Sequence, residues 1–308
     1  MGLKTHGQTG RPPRRTRYTE GCQLKICSAT LHLTFDRASS RLTKGNMDLQ
    51  LEGKKALVTG STAGIGFATA RALAAEGASV VVNGRTQERV DGAIAEIRKQ
   101  HPGAKLSGVV SDVSTAAGCA KVAQALPEVD VLVNNMGIFK PITFEKIPDE
   151  DWLHIFEANV MSGVRLSRHY LTGMRAKNWG RILFVSSESA VQIPAEMIHY
   201  GMSKTAQVAV ARGIAETVAG TGITVNSVLV GPTRSEGVDT FIAQMGGGAD
   251  PVKFEAQFFK SVRPSSLIKR FETVDEVANM IVYLSSPRAS GTTGSAIRVD
   301  GGVVKAIL

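Results

Sequence analysis

Residues 54–67 read Lys54-Lys55-Ala56-Leu57-Val58-Thr59-Gly60-Ser61-Thr62-Ala63-Gly64-Ile65-Gly66-Phe67, a short apolar run that enters a glycine turn and leaves as a helical pattern near Ile65. Gly60, Gly64 and Gly66 allow a tight turn, close backbone approach to a pyrophosphate and close packing of helix on strand, with the helix N-terminus toward the phosphates. The spacing is Gly-x-x-x-Gly-x-Gly, and such a turn alone is weak support for any ligand. Flanked by a strand and a helix, it points to dinucleotide binding.

Outward from this turn the same alternation repeats. Strands are predicted over 55–59, 79–83, 107–112, 130–134, 181–186, 223–230 and 296–299, with helical patterns between most of them. Continuous runs such as Val80-Val81-Val82 and Val131-Leu132-Val133 suit strands covered on both faces. The expected fold is α/β: one doubly wound Rossmann-type domain with a parallel seven-stranded sheet flanked by helices, joined by right-handed crossovers. No internal repeat or low-complexity tract interrupts residues 47–308.

Apolar residues at 43% and charged residues at 20% exclude wholesale disorder, and 308 residues suit one large α/β domain. The net charge is +9, but seven of those charges fall in residues 1–46, which hold nine basic and two acidic residues. The remaining +2 argues against nucleic-acid binding by the body of the protein. Residues 1–46 also lack sustained apolar periodicity, so they are read as a disordered basic extension, with a targeting segment or a polyanion-binding arm as alternatives. Cys22, Cys27 and Cys119 are too few for a disulfide scaffold and offer no zinc spacing. No apolar run approaches the roughly 18 residues of a membrane span. A cytoplasmic protein in a reducing compartment is expected.

The second strand ends in Asn83-Gly84-Arg85, where a Rossmann-type NAD enzyme would place a carboxylate on the ribose 2′-hydroxyl. Arg85 could instead pair with a 2′-phosphate through its planar fork of donors, or simply open the following helix as an exposed side chain. The glycine turn lacks a second basic residue that would strengthen the first reading. NADP(H) is therefore favoured over NAD(H).

Further motifs follow in order: Asp112-Val113 after the third strand, Asn134-Asn135-Met136-Gly137, Asn159, Ser187, Tyr200-Gly201-Met202-Ser203-Lys204, Gly231-Pro232-Thr233 and Asp300-Gly301-Gly302. With the glycine turn, they make residues 47–302 resemble the short-chain dehydrogenase/reductase superfamily, most nearly its 3-oxoacyl-[acyl-carrier-protein] reductase type. Met136 departs from the family motif, which usually has Ala there. The resemblance implies cofactor contacts from Gly60, Ser61, Thr62, Gly64, Ile65, Gly66, Arg85, Asp112, Val113, Asn135, Gly137, Tyr200, Lys204, Pro232 and Thr233. It also implies a dimer or tetramer built through helices matching 150–177 and 198–219.

Tyr200 and Lys204 stand at i and i+4, which on a helix places both on one face. A free phenol has a pKa near 10, and a nearby ammonium favours the phenolate. Lys204 is the expected source of that charge, and the resemblance also gives it the nicotinamide ribose hydroxyls. Ser187 ends the strand Arg181–Ser187 and is expected to donate a hydrogen bond to a substrate carbonyl. The resemblance gives Asn159, inside the helical stretch 150–177, a part in a water relay to the lysine.

Several neighbours invite simpler readings. Strand alternation should turn Ser186 away from Ser187, and helical geometry should turn His199 away from Tyr200. Glu188 and Glu196 fall where the family lines its substrate pocket, and otherwise would be solvated. His154 and His169 have no partner at i+4, so no metal is expected. Residues 233–270 are long for a connection; Gly246-Gly247-Gly248 followed by Phe254, Phe258 and Phe259 suggests a hinged lid, with Arg234 and Lys253 uninformative about substrate charge.

The expected function is hydride transfer between NADP(H) and a ketone or secondary alcohol. Alternatives are an NAD(H)-dependent alcohol dehydrogenase of the same family and a dinucleotide-binding regulator without turnover. Because the extension is read as lying outside the fold, a chain beginning at Met47 should match the full chain in melting temperature and turnover. A large loss of stability on this truncation would show that residues 1–46 pack on the domain.

Overall fold

In the computed structural model, which describes residues 47–236, 238 and 250–307, the central strands send alternate side chains into two apolar cores. The basic segment 1–46, with Cys22 and Cys27, and Gly246-Gly247-Gly248 lie outside the described residues. The strands are β1 (Lys55–Val58), β2 (Ser79–Gly84), β3 (Leu106–Val110), β4 (Val131–Asn134), β5 (Gly180–Ser187), β6 (Ile223–Val230), β7 (Thr233–Arg234), β8 (Glu272–Thr273) and β9 (Ala296–Val299). Seven form a parallel sheet in the order β3-β2-β1-β4-β5-β6-β9, and β7 pairs with β8 separately. The seven expected strands are all present, with ends displaced by a residue or two. The short β7–β8 ladder was not expected, because two-residue strands have no readable period.

Val131 and Val133 of β4 enter one core and Leu132 the other; β1 divides Ala56 and Val58 from Leu57 in the same way. Helices α1 (Gly64–Ala75), α2 (Gln87–Gln100) and α8 (Val274–Ser285) cover the first core. Helices α3 (Ala116–Ala125), α5 (Ser162–Lys177) and α6 (Ile198–Thr217) cover the second. A sheet covered on both faces explains why its strands read as continuous apolar runs. Strand order reverses between β1 and β4, which opens a crevice at their carboxyl ends.

The helical stretch expected over 150–177 is not uniform. Helix α4 (Asp149–Phe156) passes through a π turn at Glu157–Met161 into α5. The wider turn carries Asn159, whose carbonyl accepts a hydrogen bond from Gln207 Nε2 on α6 at 2.7 Å. Such turns commonly mark functional positions in helices.

At the other edge of the crevice, Gly231 lies against the Asp300 backbone so closely that a Cβ would sit 2.6 Å from Asp300 Cα. The Asp300 carboxylate accepts from Gly302 N and Val304 N, each at 3.0 Å, and Gly301 and Gly302 have φ of +57° and +75°. The closing Asp-Gly-Gly is thus a backbone lock that ties the end of β9 to the end of β6. Glu272 on β8 is buried beside it, and burial, followed by the Asp300 charge, raises its carboxyl to about 7. A carboxyl raised in the folded state destabilises the fold as pH climbs from about 4.5 through about 7, because the unfolded chain ionises first. Glu272→Gln should therefore gain stability relative to the parent protein on going from pH 5 to pH 8, by on the order of 1–3 kcal/mol. Thermal melts at the two pH values test this; an unchanged difference would show that Glu272 ionises without cost.

Candidate active site

The glycine turn is held from both sides of the crevice. Asn83 of β2 accepts from Gly60 N at 3.1 Å and donates to Val109 O and Ser111 O. Just after β4, Asn135 Nδ2 donates to Thr59 O at 2.9 Å and Gly60 O at 3.2 Å, while Thr59 Oγ1 accepts from Asn135 N and Met136 N, each at 3.0 Å. Gly60 and Gly64 have φ of +61° and +57°, and a Cβ on Gly66 would lie 2.5 Å from both Gly60 O and Asn135 Nδ2. The sequence therefore needs glycine at these places. Helix α1 then begins with no side-chain cap and no acidic residue in its first turn. By contrast, Thr86, Thr115 and Thr273 cap α2, α3 and α8. An uncapped helix N-terminus behind a glycine turn offers free amides to an anionic group, so these residues fit a dinucleotide pyrophosphate.

The expected cofactor residues sort into two kinds. Ser61 is buried, donating to Val58 O at 2.7 Å and accepting from Asn83 N at 2.9 Å; Val113 belongs to the second core. These two side chains, with that of Asn135, shape the turn and the sheet end. Thr62, Gly64 and Ile65 are half-buried, and a Cβ on Gly84 would meet Thr62 Cγ2 at 2.4 Å. Arg85, next to Gly84, is exposed. Asp112 is exposed too, with its carboxylate accepting from Ser114 N and Oγ. Ile65, Gly137, Pro232 and Thr233 line a cavity of about 770 Å³ that also takes in Ser187, Tyr200 and Lys204.

Tyr200 and Lys204 lie on α6, and Ser187 ends β5. Lys204 is buried, donates from Nζ to Val185 O at 2.9 Å and sits 5.6 Å from the Tyr200 ring centroid. A Cβ on Gly137 would lie 3.3 Å from Lys204 Nζ and 3.6 Å from Asn159 Oδ1, so the end of β4, the π turn and α6 converge here. Burial lowers the Lys204 ammonium to about 8. Burial, followed by the Glu188 charge, raises the Tyr200 phenol above its ordinary value, while a hydrogen bond with Ser187 and the Arg263 charge oppose that rise. Asn159 is buried, accepting from Ile138 N at 2.7 Å and donating to Ile138 O and Ser203 Oγ, each at 2.9 Å. It clamps the Gly137–Ile138 segment against α6.

Ser186 donates to Lys204 O at 2.9 Å, away from the Ser187 hydroxyl, which donates to Glu188 Oε2. His199 is buried edge-on against Trp152, with ring centroids 5.8 Å apart, and burial lowers its pKa. Among the described residues no group of three His, Cys, Asp or Glu could hold a metal, and no helix is long and apolar enough to cross a membrane. Glu188 is not solvated: it is buried and ion-paired to Arg263 Nε at 3.0 Å. Arg263, which the sequence reading missed, follows α7 (Pro251–Ser261) and also reaches Glu196 at 3.4 Å. The phenylalanines on α7 divide: Phe254 and Phe258 line the cavity, while Phe259 does not and packs against Phe271, which lines it too.

With the glycine turn at the sheet's switch point and Ser187, Tyr200 and Lys204 on one cavity described, the chain as a whole is matched by known proteins. The family model described as Enoyl-(Acyl carrier protein) reductase matches residues 60–304. The chain belongs to the short-chain dehydrogenase/reductase superfamily. It is an oxidoreductase of that superfamily. It is 46% identical over 263 residues to an uncharacterized oxidoreductase, YvaG, of Bacillus subtilis (strain 168), covering 85% of this chain and 100% of the relative. It is 36% identical over 262 residues to a D-beta-hydroxybutyrate dehydrogenase of Cupriavidus necator, covering 82% and 99%. Among solved structures, L-sorbose reductase from Gluconobacter frateurii, complexed with NADPH and L-sorbose, superposes with a TM-score of 0.78 at 32% identity, covering 85% of this chain and 100% of that one.

Proposed function

We propose that this protein is an NADP(H)-preferring oxidoreductase that interconverts a ketone and a secondary alcohol. The observation that carries this reading is the meeting of Ser187, Tyr200 and Lys204 on a cavity continuous with Ile65 of the glycine-turn helix and Thr233. Residues 47–308 form the catalytic domain, with 233–270 as its substrate lid, and the protein works as a cytoplasmic homo-oligomer. The exposed Leu153 and Phe156 of α4 support assembly through that helix.

A nicotinamide, when bound, supplies or takes up the hydride. In the reducing direction, the Tyr200 phenol gives its proton to the substrate oxygen while the Ser187 hydroxyl turns from Glu188 Oε2 to donate a hydrogen bond to it. The phenolate left behind is unfavourable in a buried site, and the Lys204 ammonium compensates it. The family resemblance also gives Lys204 the nicotinamide ribose hydroxyls. Asn159 keeps the Gly137–Ile138 segment in register and supports proton resupply behind the lysine. Arg85 takes the 2′-phosphate; support comes from its exposure beside Gly84 and from the absence of a carboxylate in Asn83-Gly84-Arg85. Two solved relatives, described as putative gluconate 5-dehydrogenase and putative 2-deoxy-d-gluconate 3-dehydrogenase, carry bound NADP.

Tyr200→Phe should keep the fold and cofactor affinity while turnover falls by roughly 10²–10⁴. Lys204→Ala should weaken cofactor binding as well, and should move the rising limb of the alcohol-oxidation pH profile to higher pH, because the phenolate loses its neighbouring cation. Steady-state kinetics and nucleotide titrations separate the two. Near-normal turnover in Tyr200→Phe would overturn the mechanism.

Arg85→Ala should raise the KM for NADPH roughly 10- to 150-fold while changing that for NADH little, the cost of losing a charge-assisted contact. Equal losses with both nucleotides would refute a phosphate-specific role for Arg85.

A further inference from the structure

The cavity wall facing Ser187 combines aromatic side chains with one buried charge cluster. Glu188 directly follows Ser187; its Oε2 accepts from the Ser187 hydroxyl and from Ser189 N at 2.9 Å, and its Oε1 accepts from Arg263 Nε at 3.0 Å. Arg263 Nη1 donates to Glu196 Oε1 at 3.4 Å and to Val262 O at 3.1 Å. Glu188 and Arg263 are 4% and 9% exposed, whereas the Glu196 side chain is 48% exposed. Among the described residues, Arg263 Nη2 and Glu196 Oε2 make no hydrogen bond. All three residues line the cavity.

We propose that Glu188, Arg263 and Glu196 are the specificity-determining residues of this site, and that they select an uncharged carbonyl substrate bearing a hydroxyl beside the carbonyl over a plain ketone or an oxo acid. The proposal rests on the oxidoreductase reading above. It follows from what the cluster leaves open. A substrate hydroxyl both donates and accepts, so it can satisfy Glu196 Oε2 and Arg263 Nη2 together without adding charge. A plain ketone would cover these polar groups and leave them without partners, which is where polar sites discriminate most strongly. A carboxylate would meet a guanidinium already shared between two carboxylates, so the wall it approaches carries a net negative charge. Because Glu188 touches the Ser187 hydroxyl, the cluster starts one hydrogen bond away from the expected position of the carbonyl oxygen. The hydroxyl nearest to that start of the cluster is one on the carbon next to the carbonyl. The Phe139, Phe254 and Phe258 side chains that also line the cavity suit an apolar group on the substrate.

The test compares three matched aryl ketones with the full-length protein and NADPH: 2-hydroxyacetophenone, acetophenone and phenylglyoxylate. The hydroxy ketone should have kcat/KM roughly 10-fold or more above acetophenone, the scale of one hydrogen bond to a charged group. Intrinsic reactivity cancels when each substrate ratio is compared between variant and parent. Glu196→Gln should raise the phenylglyoxylate to 2-hydroxyacetophenone ratio roughly 5-fold or more, because it removes one repelling charge from a half-exposed position. Arg263→Leu should bring the hydroxy ketone and acetophenone toward parity; if that variant does not fold, the parent and Glu196→Gln ratios decide. Parity of the hydroxy ketone and acetophenone in the parent, or an unmoved oxo-acid ratio in Glu196→Gln, overturns the specificity assignment while leaving the oxidoreductase reading intact. Reduction of none of the three by protein that binds NADPH overturns both.

Discussion

The brace between the ends of β1 and β4 is the constraint on which the rest of the site depends. Thr59 Oγ1 takes the Asn135 and Met136 amides, and Asn135 Nδ2 returns hydrogen bonds to Thr59 O and Gly60 O. These bonds hold two neighbouring parallel strands together where the sheet would otherwise splay at its switch point. They also fill the space beside Gly66, so that α1 starts close to the strand with its first amides open toward the crevice. Gly137 then emerges within reach of Lys204 and Asn159. One short set of hydrogen bonds thus connects the expected phosphate site to the expected proton-transfer site.

Around that brace, buried charge is held by polar or charged neighbours rather than removed. Lys204 has its ammonium on the Val185 carbonyl and the Tyr200 ring, and Glu188 has the Arg263 guanidinium. In a region of low polarisability such neighbours act strongly on each other. The Glu188 charge raises the Tyr200 phenol and the Arg263 charge lowers it, so α7 and the loop after it bear on the chemistry as well as on substrate shape. Phe259 anchors that helix against Phe271, leaving Phe254 and Phe258 for the cavity beside Phe271.

The π turn serves the same purpose through the backbone. A regular helix over 150–177 would have used the Asn159 carbonyl internally. In the structure that carbonyl accepts from Gln207, and the Asn159 side chain fixes Ile138 and Ser203. Residues from three separate elements are thereby kept in one register without a charged group among them.

The sequence by itself determined the alternation of strand and helix, the seven strands of the sheet, and the order of motifs that marks the superfamily, because these depend on local periodicity and on short spacings that backbone geometry enforces. It also placed Tyr200 and Lys204 on one helical face, since i and i+4 must share one. Only the tertiary structure decided that Ser61 and Asn135 brace the turn, that Glu188 is buried, and that Arg263 pairs with it from 75 residues away. A buried ion pair leaves no periodic trace in sequence, because its partners are chosen by chain packing rather than by spacing. The break at Asn159 was hidden for the same reason: a π turn is stabilised by what α6 offers across the interface, and the residues within it read as ordinary helix.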